Sequence, residues 1–456
     1  MKGFGPAVVL LALGTACSSP AVGPRLAVEL VLPDRPDPHA EVATLEIDAS
    51  WDGGFSGLDL PFGDGGVALS LPGAATVDVT VLGHGADGET LWRGVARSVV
   101  VPAGAGPAVA RLFFGKIGAF SSFASVAEMP PLAGSAAVSW GEGRVLVSGG
   151  RGADGGPTSG LWLYDHRRVH VQAAGSGLMP RGHHLALATE DSSGSPLLFL
   201  AGGDGPVDTV EVVAADGGVW PLPPLVSPQR EPAGAVTGDG VVLVGCGREG
   251  SPAVDVYRPA DGDWEGSMPL PSRCVAGEIT FVPGLGAVVG DGAGAGEISL
   301  LGGGSPEAAP AAGGVEPFAT ALTVRQSFGA VAVDGGIVQF GGDGDGGTAG
   351  DSEWHVQGRG SAGPFALLTP RADFATLLLP DGRLLVVGGR GADGSALATA
   401  ELIDPVGGQV VAAGSLAGAR IHPALAEISG YGAALVVSGE EADGSPVGGL
   451  EIYTCP

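Results

Sequence analysis

RVLVSGG (144–150), LLFLAGG (197–203), VVLVGCG (241–247), LGAVVGD (285–291), GIVQFGG (336–342), RLLVVGG (383–389) and AALVVSGE (433–440) are seven versions of one phrase, an apolar run that ends in two small residues. The second small residue falls near 150, 203, 246, 291, 342, 389 and 440, so neighbouring copies lie 43–53 residues apart, with a mean step near 48. A short apolar run bounded by glycine reads as a strand buried on both faces. A step of that length holds four short strands and their turns. One such unit cannot bury both of its faces, whereas a closed ring of them can.

Two further signals recur in phase. An arginine stands ahead of most copies: Arg181 in MPRGHH, Arg230 in SPQREP, Arg273 in LPSRC, Arg325 in VRQSF, Arg371 in TPRADF and Arg420 in GARIH. An acidic or aromatic strand follows them, as in LWLYD (161–165), TVEVV (209–213), AVDVY (253–257), SEWHV (352–356), TAELID (399–404) and LEIY (450–453). Together these features resemble the kelch repeat of galactose-oxidase-like and kelch-like propellers. The resemblance implies an all-β, seven-bladed β-propeller over residues 115–456. It gives Gly149, Gly150, Gly202, Gly203, Gly341, Gly342, Gly388 and Gly389 the role of close backbone packing, where a Cβ would clash. It makes Arg181, Arg371 and Arg420 structural, bonded to neighbouring backbone. The last repeat stops at its third strand, Ile452–Tyr453, so its fourth is expected from Ala119–Glu128. The fourth repeat departs most and carries the insertion GGGSPEAAPAAGG (302–314).

Residues 25–114 differ. Alternating apolar stretches separated by PDRPDP, WDGG, PFGDGG, GADG and PAGAGP predict about seven strands of a small β-sandwich. The unit resembles the immunoglobulin-like or transthyretin-like modules that follow bacterial lipoprotein anchors, and a spacer is its expected role.

The first 17 residues, MKGFGPAVVLLALGTAC, have a positive start, a short apolar run and small residues before a cysteine. The run is too short to span a bilayer. It resembles a lipoprotein signal, which implies lipidation of Cys17, a tether over 18–24, and residence in the cell envelope, by analogy the outer membrane. A formal net charge of −27, from 22 basic and 49 acidic residues, opposes nucleic-acid binding and docking on anionic lipid. Four cysteines are too few for a disulfide framework. Cys246 and Cys274 are a candidate disulfide in an oxidising compartment.

Candidate chemistry is sparse. His183 and His184 beside Arg181, with His422 in a comparable place, are read as packing residues, and His166 and His170 as solvated. Asp343 and Asp345 lack the spacing of a calcium loop and read as hairpin turn, as do ADG at 153–155, 392–394 and 442–444. Galactose oxidase holds copper with tyrosine, histidine and a Cys–Tyr crosslink, but Tyr164, Tyr257 and Tyr453 occupy repeat positions and Tyr431 is isolated. No catalytic residue, metal site or cofactor is assigned. The expectation is a monomeric, lipid-anchored, non-enzymatic scaffold that recognises a protein or glycan through propeller loops. The alternatives are a carbohydrate-active kelch enzyme, mutarotase-like or oxidase-like, with its site at the channel mouth, and a purely structural envelope protein. A mouth lined by His, Glu and Arg favours the enzyme, and one lined by Gly, Ala and Ser the scaffold.

Overall fold

The computed structural model describes residues 8–9, 25–63, 67–71, 74–103, 107–123, 129–175, 177–204, 208–226, 228–292, 296–301, 314–356 and 359–456. The leader with Cys17, apart from residues 8–9, the tether and most of the 302–314 insertion lie outside them. The described residues are all-β apart from one 3-10 turn at Pro38–Ala40.

Seven four-stranded antiparallel sheets account for the repeats. In the second, Leu185–Glu190, Pro196–Ala201, Val210–Ala214 and Val219–Leu222 pair in chain order. The first strands of the seven sheets are Ala136–Ser139, Leu185–Glu190, Ala233–Val236, Glu278–Val282, Gly329–Val333, Ala375–Leu378 and Ala424–Ile428. Each touches the first strand of the next sheet, and the seventh touches the first, so the seven strands close a propeller-like ring. In the seventh sheet the fourth position is filled by Phe120–Phe123, antiparallel to Leu450–Thr454 with Phe120 opposite Tyr453 and Phe123 opposite Leu450.

The second strand of each sheet is the apolar phrase of the repeat, and it is buried almost throughout, as in Leu384–Val387 and Ala433–Val437. Neighbouring sheets cover both of its faces, which is why it reads as a continuous run rather than as alternation.

Register explains the arginines. In equivalent places stand Leu132, Arg181, Gln229, Cys274, Arg325, Arg371 and Arg420, each buried. Arg181, Arg325, Arg371 and Arg420 pair with Glu211, Glu353, Glu401 and Glu451 of their own third strands at 2.6–2.8 Å. They also donate to the carbonyls of Gly202, Gly341, Gly388 and Ser438. Arg230 and Arg273, the sequence candidates, are exposed, and Gln229 and Cys274 hold their places. Where the arginine is missing the glutamate is missing too: the third-strand residue is Trp162 beside Leu132, Asp255 beside Gln229 and Ser299 beside Cys274. A buried guanidinium without a carboxylate would cost several kcal/mol; Asp255 stays without a guanidinium by accepting from Val226 N–H and Ser267 Oγ.

In five of the seven sheets both of the paired small residues take left-handed backbone; in the third only Cys246 does, and in the fourth neither does. Gly149 and Gly150 have φ of 58° and 101°, and a Cβ on Gly149 would lie 2.5 Å from the Arg181 carbonyl of the next sheet. In the third sheet the pair is Cys246–Gly247 and in the fourth Asp291–Gly292, one residue later than the sequence phrase suggests. Cys246, after the second strand of the third sheet, stands against Cys274, the last residue of that sheet's fourth strand Asp263–Cys274, and the two form a disulfide.

The N-terminal strands run in the order Val8–Val9, Arg25–Val31, Pro107–Lys116, Thr90–Val101, Ala75–His84, Thr44–Trp51, Gly54–Pro61, and Val67–Ser70 also pairs with Arg25–Val31, opposite Arg25–Val28. Leu26, Leu45, Val79, Trp92, Leu112 and Phe114 share one core. Thr90–Val101 is one continuous strand of twelve residues. Gly54–Pro61 lies between two stretches read as turns; it is an edge strand with Leu58 and Leu60 half-buried against the core and Asp59 between them turned outward. Val31, Val95 and Phe113 of this unit pack with Phe123, Ile428 and Tyr431 of the ring. Arg93 donates to the carbonyls of Gly432 and Cys455, both at 2.9 Å.

Candidate active site at the channel mouth

Two residues after each arginine place, the chain turns into its first strand through left-handed backbone. These positions are Gly134, His183, Glu231, Ala276, Ser327, Asp373 and His422, with φ between 45° and 59°. Neighbours are tied through the main chain: His183 N–H donates to the Gly134 carbonyl, Asp373 N–H to Ser327 and His422 N–H to Asp373. Side chains in this conformation cost roughly 1–2 kcal/mol each relative to glycine. Five of the seven nevertheless carry a polar or ionisable group. Directly after the paired small residues come Arg151, Asp204, Arg248, Asp343, Arg390 and Glu440. All of these positions precede the first strand of a sheet or follow the second, so they gather at one end of the ring. The N-terminal unit binds Gly430 and Gly432, in the turn between first and second strands, at the opposite end.

Two arms meet there. Arg151 Nε donates to Asp204 Oδ2 at 2.6 Å, and His183 Nδ1 lies 3.2 Å from both Asp204 oxygens. Arg390 donates to Asp373 Oδ2 through Nε at 3.0 Å and Nη2 at 2.8 Å, and it also pairs with Asp343. Asp373 Oδ1 lies 3.2 Å from His422 Nε2. The arms converge on Glu440: Oε1 is 3.0 Å from His422 Nδ1 and Oε2 is 3.8 Å from His183 Nε2. The two imidazoles sit edge to face with centroids 5.2 Å apart. His183 reaches across the first sheet because Gly134 is there; a Cβ at Gly134 would lie 2.6 Å from its ring.

Both nitrogens of His422 face carboxylates, which accept only, so the ring is held as imidazolium; Asp373 and Glu440 raise its pKa to about 9 against the effect of burial. The same contacts hold Asp373 and Glu440 below the usual carboxylate range. His183 and Arg151 lower Asp204 to about 2, although its burial opposes this. A cavity of about 570 Å³ opens beside the cluster, lined by Arg248, Ser327, Asp373, Arg390, His422 and Glu440 among others.

Of the residues singled out in the sequence, the structure brings His183, His422 and Asp343 into this network. His184 is buried elsewhere, on Ser148 Oγ at 2.9 Å, and desolvation pushes its pKa down to about 3. His166, expected to be solvated, is buried against the N-terminal unit and bonded to the Tyr164 hydroxyl at 2.7 Å. Asp204, Glu231, Asp373, Arg390 and Glu440 went unread. Aligning the seven repeats two residues past the arginine place would have collected Glu231 and Asp373 in one column with His183 and His422.

No family model matches the chain, and no curated protein matches it. Among solved structures it is similar to a fungal alcohol oxidase of the AA5 family in complex with copper, with a TM-score of 0.55 and 17% identity, covering 75% of this chain and 76% of that one. The likeness supports a galactose-oxidase/kelch-type β-fold. The expectation of a non-enzymatic binding scaffold with no catalytic constellation is corrected on two findings: the similar structure is that of an enzyme, and His, Glu, Asp and Arg converge at the mouth. A copper group built on tyrosine does not fit, however. Tyr164, Tyr257 and Tyr453 are buried in the cores between sheets, Tyr431 lies at the far end against His166, and Cys246 is in a disulfide.

Proposed function

We propose that the chain is a carbohydrate-active enzyme whose site is the mouth of a ring of seven kelch-type blades, acting on the hydroxyl-bearing carbon of a sugar or similar polyol. The observation that carries this is the pair of Arg–Asp–His arms meeting at Glu440 beside a polar cavity. Left-handed backbone is strained, and ionisable side chains kept there point to a working site. Carboxylates that stay charged accept hydroxyl protons, and Arg248 and Arg390 supply donors, so the cavity offers both partners that a polyol needs. Glu440 is the carboxylate placed to take a proton from a substrate hydroxyl, and His422 keeps it ionised until then.

The test is incubation of the purified protein with a panel of aldoses and primary alcohols, followed by NMR exchange of anomers and by oxygen uptake. Turnover of at least one sugar is expected, with a loss of 100-fold or more in Glu440→Gln. Equal rates for wild type and a folded Glu440→Gln across the panel would end the reading.

We further propose that residues 25–116 form a sandwich-like spacer and that Cys17 carries a lipid anchor at an envelope membrane, probed by lipid labelling that Cys17→Ala abolishes. Docking of the spacer on the end opposite the mouth supports a mouth turned away from the membrane.

A further inference from the structure

The two arms share a detail that substrate binding does not require. Each imidazole has one nitrogen on a carboxylate, His183 Nδ1 on Asp204 and His422 Nε2 on Asp373, and turns the other toward Glu440. The carboxylates are themselves fixed by guanidinium groups, Arg151 on Asp204 and Arg390 on Asp373. Metal-ligating histidines are oriented this way, the outer carboxylate setting the tautomer and raising the basicity of the inner nitrogen. His183 Nε2 is buried and has no hydrogen-bond partner. An unpaired buried ring nitrogen is costly, and the side chain that would cover it is missing because residue 134 is glycine.

We propose that His183 Nε2, His422 Nδ1 and Glu440 bind one divalent first-row transition-metal ion of the zinc type, with a coordination position left open toward the cavity. One ligand atom from each of the three residues lies within 4.8 Å of the others. The Glu440 separations of 3.0 and 3.8 Å bracket the ~3.4 Å edge of a tetrahedron with bonds of ~2.1 Å. Two imidazoles and a carboxylate suit zinc, and the site has neither the thiolates that mark a closed structural centre nor the all-oxygen set of calcium. In the metal-free state the proton that His422 shares with Glu440 occupies the metal's place, so binding displaces it. His183 also lies within reach of Asp204 and Glu231, a rival set. In that set Asp204 is already bound to Arg151, and Glu231 is bound to Arg248 at 2.8 Å.

The inference rests on the mouth being the working site, and its test reads binding directly. A protein that takes up the metal but turns over no sugar would end the substrate reading alone. Chelator-treated full-length protein is titrated with Zn²⁺ by calorimetry and with Co²⁺ by visible absorption. One equivalent is expected to bind. Glu440→Gln and His183→Gln should weaken it at least 100-fold, and Asp204→Asn 10–100-fold. Thermal melting in chelator shows that each variant is folded. Absence of binding to wild type, or wild-type affinity in a folded Glu440→Gln, overturns the assignment. So does loss of binding in Glu231→Gln with none in Glu440→Gln, which would move the ion to the rival set.

Discussion

At the scale of single residues, Gly134 has an importance that its lack of a side chain conceals. It is the one glycine among the seven left-handed mouth positions, and His183 lies over it. Gly134→Ala is expected to lower stability by about 1–2 kcal/mol through the left-handed backbone. It should also displace the imidazole, so zinc affinity and turnover fall together while the melting curve stays cooperative. Two histidines set opposite pH limbs. His166 is buried neutral with its pKa pushed down to about 3 by desolvation, so the unfolded chain binds its proton more readily. Its contribution is present above about pH 6.5 and is lost as pH falls from there toward 3. His422 is the reverse: with a folded pKa of about 9, its contribution is whole below about pH 6.5 and disappears as pH rises through 9. Denaturant midpoints measured across pH 4–9 should therefore fall on both sides. His166→Gln should flatten the acid limb and His422→Gln the alkaline one.

At the scale of elements, each sheet is pinned by what fills its arginine place. Arg371 donates to Gly388 and Thr399 carbonyls and pairs with Glu401. Arg371→Ala leaves that carboxylate buried and unpaired, and a loss of about 3–5 kcal/mol is expected. Removing both, as Arg371→Leu with Glu401→Gln, should cost less than Arg371→Ala alone, because the first sheet already holds Leu132 in that place without a charge beside it. Comparison of the two melting curves decides this. Within the third sheet the Cys246–Cys274 disulfide spans 28 residues. Replacing both cysteines by serine should lower stability by about 3 kcal/mol in the chain-entropy picture, read as a lower denaturant midpoint that reductant does not change further.

At the scale of the whole molecule, the ring is closed by Phe120–Phe123, which completes the sheet ending the chain. Ser121 is fully buried opposite Ile452. Ser121→Pro removes a ladder donor and should open the seam, seen as a lower melting temperature and as early proteolytic cleavage in the seventh sheet. The same seam carries the docking of the N-terminal unit, through Arg93 on Gly432 and Cys455 and through Phe113 on Phe123. The strand that closes the ring thus also joins its two halves. The mouth, at the other end, is left clear of that contact.

The repeat was legible in the sequence because burial between sheets demands the same thing seven times. Its second strand must be apolar on both faces, as in RLLVVGG, and must end in residues that tolerate left-handed backbone. The missing fourth strand of the last repeat was legible for the same reason, as an incomplete copy. The candidate site was not. Its residues come from the first, second, fifth, sixth and seventh sheets, up to 289 positions apart between Arg151 and Glu440, and no spacing along the chain announces them. His183, Asp373 and His422 sit where the repeat permits anything that can bear a positive φ, and Arg151, Asp204, Asp343, Arg390 and Glu440 simply follow the paired small residues, so one at a time they look like interchangeable turn residues. Asp204 meets His183 within the second sheet and Glu440 meets His422 within the seventh; only closure of the ring brings these two groups together, His183 to His422 and Glu440. Local backbone chemistry is written in the sequence; which side chains meet across a ring is decided by the tertiary structure.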